Sequence, residues 1–208
     1  MLTETIVASF LLVCLGCFFS VNLYNILKFH RHNEDSEPHA EVKPPPAFIV
    51  YLAGLGTLVY FAEALFYPLI VFANMISPQN AFLLGYDFPF MPYARITGMV
   101  LTGVGHVLFV WSVIARGKYA TSWEMKEDHR LVTWGPYRHV RHPSYLGYFL
   151  MFIGLIALWP NVFTLVPLLA IPGYNRITID EERLLEQRFG AEYVEYKNRT
   201  GRFIPIFR

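Results

Sequence analysis

The sequence predicts an all-α, polytopic membrane protein with about five transmembrane helices, the last two a helical hairpin, followed by a cytoplasmic helical tail. Three observations carry this prediction. Hydrophobic residues make up 54% of the 208 positions and charged residues only 16%, too apolar a balance for an ordinary soluble domain. Stretches long enough to cross a bilayer core of ~30 Å recur along the chain. Basic residues gather in alternate intervals between those stretches.

The first apolar stretch, Thr5–Leu27, is preceded by a single charge, Glu4, and has no basic start. It reads as a retained helix rather than a cleaved leader. The second, Ala47–Ile76, is interrupted by Glu63 and Pro68, which predicts a tilt or kink. The third is Ile96–Ala115. The fourth, Ser144–Ile171, is too long for one span and carries Pro160 and Asn161 at its middle. Proline removes a donor and disfavours helix in the residue before it, so the stretch should fold as a hairpin of two short helices.

Lys28, Arg31 and Lys43 lie between the first two spans, and six basic residues from Arg116 to Arg141 lie between the third and fourth. Seven more, Arg176 to Arg208, follow the hairpin, whereas Ser77–Tyr93 has none. This asymmetry places the first loop, the third loop and the tail in the cytoplasm. The chain divides at 115/116 into three N-terminal spans (1–115) and a polar-junction, hairpin and tail region (116–208). Cys14 and Cys17 sit inside the first helix as C-L-G-C and read as small packing residues, since no further metal ligands accompany them. The acidic, then Pro-rich linker Glu34–Pro46 reads as an exposed spacer. A net charge of +1 gives no reason to invoke nucleic acid.

The chemistry concentrates in two segments. In the first, His129–Thr133 reads as a short extended piece, Gly135 and Pro136 as a turn, and Arg138, His139, Arg141 and His142 follow within five positions. Pro143 suits the first position of the next helix with His142 as its cap, so free backbone N–H groups and the positive dipole end face the loop. An anionic group such as a carboxylate is stabilised there. Tyr145, Tyr148, Phe149 and Phe152 share a face at helical spacing, and Tyr145 in the first turn could stack on a base or meet a cation. In the second segment, Leu184, Leu185 and Phe189 stripe a helix that Gly190 ends. Asp180, Glu181, Glu182 and Glu186 give that helix an acidic face, and Arg176 can pair with Asp180 at i, i+4. A second short helix carries Tyr193 and Tyr196.

In order, H-R-L-V-T at 129–133, G-P-Y-R at 135–138, R-H-P-S-Y at 141–145, E-E-x-L-L at 181–185, F-G at 189–190, Y-x-x-Y at 193–196 and T-G-R-F-I-P at 200–205 resemble the isoprenylcysteine carboxyl methyltransferase family. That family is related to the membrane phospholipid methyltransferases. The resemblance covers roughly the C-terminal half, and the first two helices carry none of it. It implies a five-helix membrane enzyme that uses S-adenosyl-L-methionine and acts on a lipophilic acceptor at a cytoplasmic-facing site, without metal. Carried over by position, it implies cofactor contacts from His129, Arg130, Leu131, Val132, Tyr137, His142, Pro143, Ser144 and Tyr145. It further implies that Glu182 meets the cofactor's ammonium. The family's substrate-orienting arginine would fall on Ile177; Arg176, one position earlier, is the candidate to hold the acceptor carboxylate. An offset of one residue rotates a helical side chain by ~100°.

Methylation of an isoprenylcysteine-like carboxylate is the favoured activity, with a phospholipid amine or a small lipophilic thiol as other acceptors. Two readings of other classes stand beside it. Membrane NADPH-dependent sterol or enone reductases share an R-H-P-x-Y-like segment but fit the T-G-R-F-I-P ending and the E-E-x-L-L helix less well. A non-catalytic lipid-binding membrane protein would bind neither cofactor. Glu63 and His106, ionisable groups inside expected membrane helices, are either functional or neutral and hydrogen-bonded.

Overall fold

In a computed structural model, residues 3–35, 38–41, 45–75, 89–119, 124–126 and 128–206 are described. Among the described residues there are six α-helices: α1 (Glu4–Asp35), α2 (Ala47–Phe72), α3 (Met91–Arg116), α4 (Pro143–Leu158), α5 (Ala170–Phe189) and α6 (Ala191–Arg199). Three of them carry segments long and apolar enough to cross a membrane, Glu4–Phe29, Ala47–Phe72 and Met91–Arg116, while α4 is a shorter apolar helix. The all-α expectation needs one small amendment. Strands β1 (Pro38–Glu41) and β2 (Glu124–Lys126) pair antiparallel and tie the segment after α1 to the segment after α3. His129–Thr133, expected to be extended, forms no strand. That segment is held by side-chain burial, with Leu131 packed against Tyr193 and Tyr196. The basic-free loop Ser77–Tyr93 lies largely outside the described residues, as does part of the Glu34–Pro46 linker.

Glycine explains how α3 and α4 approach so closely. Gly98 and Gly105 on α3 face Gly154 and Gly147 on α4, each pair spaced about two helical turns apart. A Cβ on Gly147 would stand 2.8 Å from the Gly105 carbonyl oxygen, and one on Gly98 would stand 2.8 Å from the Gly154 oxygen. Where lipid tails remove the hydrophobic drive for helices to associate, such backbone proximity supplies the dispersion contacts that do. A second small-residue contact joins α2 to the hairpin's return arm. There a Cβ on Gly56 would meet the Ala170 Cβ at 2.8 Å, and one on Gly173 would meet the Ala53 Cβ at 3.1 Å. At the far end of the bundle Glu4 accepts hydrogen bonds from Tyr67 and Arg95, tying α1, α2 and α3 together.

The hairpin turns where the sequence places it. Asn161 Oδ1 accepts the Phe163 and Thr164 amides at 2.8 and 3.1 Å, capping the 3-10 helix Phe163–Leu169. Glu63 shares a hydrogen bond with this Asn161, so a carboxyl group inside α2 serves the turn. His106 places Nδ1 2.9 Å from the Thr102 carbonyl oxygen within its own helix. Past the turn the structure departs from expectation. The return arm does not stop and give way to a separate tail helix; the 3-10 segment runs directly into α5, making one helical rod from Phe163 to Phe189. Pro172 does not interrupt it, because in the first turn of α5 a missing N–H has no helical partner to lose. Gly190, at φ +51°, ends the rod in a conformation suited to glycine, and α6 begins.

Candidate active site

The polar end of α3, the junction before α4, and the α5–α6 pair converge. α3 ends at Arg116, where Gly117 takes φ +50°. The basic side chain there faces the negative end of the helix dipole, a favourable placement. Gly135–Arg138 forms a 3-10 turn, and Pro143 opens α4 at its first position. The C-terminal segment then laces onto this junction. Val140 and Gly201 form a parallel bridge, the Arg141 amide donates to Gly201 O at 2.9 Å, and the His142 amide donates to Arg202 O at 3.1 Å. The terminal T-G-R-F pattern therefore has a mechanical purpose: it fastens the α4 entrance to the tail.

These elements line a partly open cleft, walled among others by Arg116, His129, Tyr137, His142, Tyr145 and Glu181. Leu131, Val132 and Ser144 complete its wall from the sequence-derived set. Arg130 is exposed and Pro143 is buried, and neither lines the cavity. His142 occupies the N-cap position without making a side-chain cap; its ring is drawn instead to the acidic helix. Nδ1 lies 3.4 Å from Glu181 Oε2 and Nε2 lies 3.3 Å from Glu182 Oε1.

The two glutamates sit differently. Glu182 is only 3% exposed and is not in the cavity wall. Arg141 Nε donates to its Oε1 at 2.9 Å, while Arg202 donates through Nε at 3.1 Å to Oε1 and through Nη2 at 2.9 Å to Oε2. Burial alone would raise the Glu182 pKa, but hydrogen bonds from His142, Arg202 and Arg141 outweigh it and hold the carboxyl well below the usual range. Arg141 is further engaged by the Lys197 and Thr200 carbonyls. Glu181 is the member that faces the cavity, where the Tyr145 hydroxyl donates to its Oε1 at 2.7 Å. The neighbouring residue points elsewhere because one helical position turns a side chain by ~100°.

Burial opposes charge on His142, yet its hydrogen bonds to Glu181 and Glu182 raise its pKa above the ordinary value. His129 goes the other way, its pKa lowered to about 4 chiefly by burial. The Tyr145 ring stacks on Tyr174 with centroids 4.7 Å apart and lies nearly parallel to His142 at 5.8 Å, giving the floor an aromatic ladder. The rest of the Tyr145 stripe turns inward as packing, with Phe152 fully buried.

Arg176 donates to Asp180 at 2.8 Å, is 39% exposed on its side chain, and does not line the cavity. Ile177, in the family's arginine slot, is buried. The cation that does face the cavity, beside the engaged Arg141, is Arg116. It shares a hydrogen bond with the Tyr137 hydroxyl, and its Nε is buried with no partner among the described residues. Sequence reading counted Arg116 only as a topogenic charge. It also passed over Tyr119, Leu185 and the cavity-facing sides of Tyr193 and Tyr196. Among the described residues no cluster of His, Cys, Asp and Glu is arranged to hold a metal ion.

Residues 93–192 match the phospholipid methyltransferase family. The protein-S-isoprenylcysteine O-methyltransferase of Saccharomyces cerevisiae is 43% identical over 84 residues, which is 39% of this chain and 35% of the yeast protein. That of Tribolium castaneum is 31% identical over 154 residues, 67% of this chain and 52% of the beetle protein. A solved structure of the eukaryotic intramembrane Ras methyltransferase ICMT aligns with a TM-score of 0.47 at 23% identity, covering 79% of this chain and 55% of the other. The chain thus spans about half or less of the length of these relatives.

Proposed function

We propose that this chain, a member of the isoprenylcysteine carboxyl methyltransferase family within the wider phospholipid methyltransferase group, methylates a lipophilic acceptor with S-adenosyl-L-methionine. The favoured acceptor is an isoprenylcysteine-like carboxylate. One observation carries the reading: the junction before α4 and the α5–α6 pair close over a single cavity, with a carboxylate, Glu181, in its wall.

The groups in that wall suit the methyl donor. Glu181 offers a carboxylate for its ammonium, and the His129–Val132 segment with Tyr137, His142, Ser144 and Tyr145 offers backbone groups and aromatic faces. S-Adenosyl-L-methionine supplies a methyl carbon bound to a sulfonium, a leaving group that needs no protonation. An acceptor carboxylate is already ionised near pH 7, so no base is needed either. Its oxygen forms the new bond to carbon as the carbon–sulfur bond breaks, and the pair of that bond stays on sulfur as a neutral thioether.

The protein's task is therefore placement and exclusion of water. Glu181 fixes the donor end of the cavity. Arg116, with an unfilled buried donor, holds the acceptor carboxylate, and Arg176 is the alternative clamp if it leaves Asp180. Glu182 holds the wall together through Arg141, Arg202 and His142.

The finer topology belongs to the same proposal. α1, α2 and α3 cross the membrane, and α4 with the return arm forms a hairpin that re-emerges on the cytoplasmic side. The cavity then opens where the acceptor's lipid tail, still in the bilayer, can present its polar head.

The decisive test is equilibrium binding of S-adenosyl-L-methionine and of NADPH to purified protein, followed by a radiolabelled methyl-transfer assay over a panel of prenylcysteines, phospholipid amines and lipophilic thiols. Micromolar binding of NADPH with none of the methyl donor would overturn the reading in favour of a reductase. Binding of neither would leave a lipid-binding protein. Methyl transfer to amines alone would move the acceptor class.

A further inference from the structure

A second concavity, open to solvent and of ≈380 Å³, lies beside the first and is lined by Thr133, Arg138, Tyr196, Arg199 and Thr200. None of these residues is acidic, and two are arginines brought together from distant parts of the chain: Arg138 from the 3-10 turn before α4 and Arg199 from the last turn of α6. Arg199 has one carboxylate nearby, Glu195 at 3.7 Å, with side chains 65% and 72% exposed. So loose and hydrated a pair contributes little and yields readily to a better anion. Arg138 is exposed and has no carboxylate partner among the described residues.

The hydroxyl hydrogens of Thr200 and Tyr196 are committed to the carbonyl oxygens of Tyr196 and Tyr137 at 2.7 Å each. The donors left for an occupant are thus two guanidinium forks and the exposed Thr133 hydroxyl. Planar guanidinium groups match the oxygens of a phosphate in pairs, and convergence of two in one hollow distinguishes a site from a scatter of surface charge. Arg138 also stands five positions before Pro143, where the chain enters an apolar helix and an anionic leaflet would present its headgroups.

We propose that this cleft binds a phosphate group, whose source is an anionic phospholipid headgroup or free phosphate. The site stands independently of the methyl-transfer reading. It nevertheless shares one side chain with the first cleft, since Tyr196 lines both.

The test uses full-length protein in detergent micelles and the anisotropy of an acyl-labelled phosphatidic acid. A phosphatidylcholine of identical chains is the neutral arm and inorganic phosphate the soluble competitor. The unaltered chain should prefer phosphatidic acid about tenfold, the scale of one charge-assisted contact. The double variant Arg138→Gln/Arg199→Gln should lose that preference, and Lys28→Ala, which removes a basic residue outside the cleft, should keep it. Displacement of the lipid by inorganic phosphate supports the site and makes free phosphate a competent source; a retained preference without displacement supports it with the lipid as source. No preference in the unaltered chain, its survival in the double variant, or an equal loss in Lys28→Ala would each overturn the proposal. A thermal midpoint measured on each variant separates loss of the site from loss of the fold.

Discussion

Adjacent glutamates in one helix should fail in different ways when each is neutralised. Glu182 accepts three hydrogen bonds from two guanidinium groups and lies within 3.3 Å of His142. Glu182→Gln keeps the shape but leaves Arg141, whose side chain is 9% exposed, without its charge partner. Breaking a buried pair from one side costs about 3–5 kcal/mol. Arg202 is 32% exposed on its side chain and can rehydrate, so the lower end of that range applies. For a chain of this length ~3 kcal/mol corresponds to a fall of roughly 6–12 °C in thermal midpoint.

Glu181→Gln loses the acceptor of the Tyr145 hydroxyl only in part, since the amide oxygen can still accept. Its stability should fall by no more than about 1 kcal/mol. Its affinity for S-adenosyl-L-methionine should fall by about tenfold or more, the scale of a lost charge-assisted contact to an ammonium. Both effects are read on the same detergent-purified samples, by tryptophan fluorescence during heating and by calorimetric titration of the methyl donor. Unchanged melting of Glu182→Gln together with lost donor affinity would refute the division of labour and return Glu182 to the donor site.

Arg116→Ala should raise the KM for a carboxylate acceptor or depress its turnover while donor affinity changes little; Arg176→Ala should do so only if Arg176 leaves Asp180 during the reaction, and steady-state kinetics on both variants decide between them. Gly147→Val forces a side chain into the 2.8 Å approach to Gly105 O and should destabilise the α3–α4 contact by about 1–3 kcal/mol or more, read as a lower midpoint. Glu63→Gln preserves an acceptor for Asn161 and should leave methyl transfer unchanged, whereas a loss of turnover without loss of midpoint would give Glu63 a chemical role. The pH dependence follows from signs. His142, with its folded pKa raised, contributes stability in full below about 6.5 that is lost as pH rises through its folded value; Glu182, with its pKa lowered, contributes stability in full above about 4.3 that is lost as pH falls. His129 opposes His142: its folded pKa of about 4 means that stability falls as pH drops from about 6.5 toward 4. A His142→Gln variant should therefore lack the alkaline fall in midpoint that the unaltered chain shows.

Much of this architecture is written in local signals. The apolar runs mark the presence of α1 to α3, although α1 continues past Leu27 to Asp35 and α3 begins at Met91, before Ile96; Pro160 and Asn161 mark the hairpin turn, and Gly190 marks the break before α6. Most cavity-lining residues of the junction also follow from the ordered motifs. The remainder depends on rotation and on distant contact. Whether Glu181 or Glu182 faces the cavity is decided by ~100° of helix turn, which a motif does not encode. Arg116 belongs to no motif; it becomes a cavity residue only because the glycine seam brings α3 against α4 with its end at the site. The return arm continues into the tail past Pro167 and Pro172, which fall where a 3-10 segment and a first helical turn tolerate them.

That unbroken rod couples the packing of the bundle to the geometry of the cleft wall. Its lower portion is gripped by α2 through Ala170 and Gly173, and its upper portion bears Glu181, with no hinge between the two. A shift in how the gripped portion seats against α2 must lift or tilt the acidic portion by the same rigid displacement. The seating of one end of the rod thereby becomes a mechanical input to the wall of the cleft.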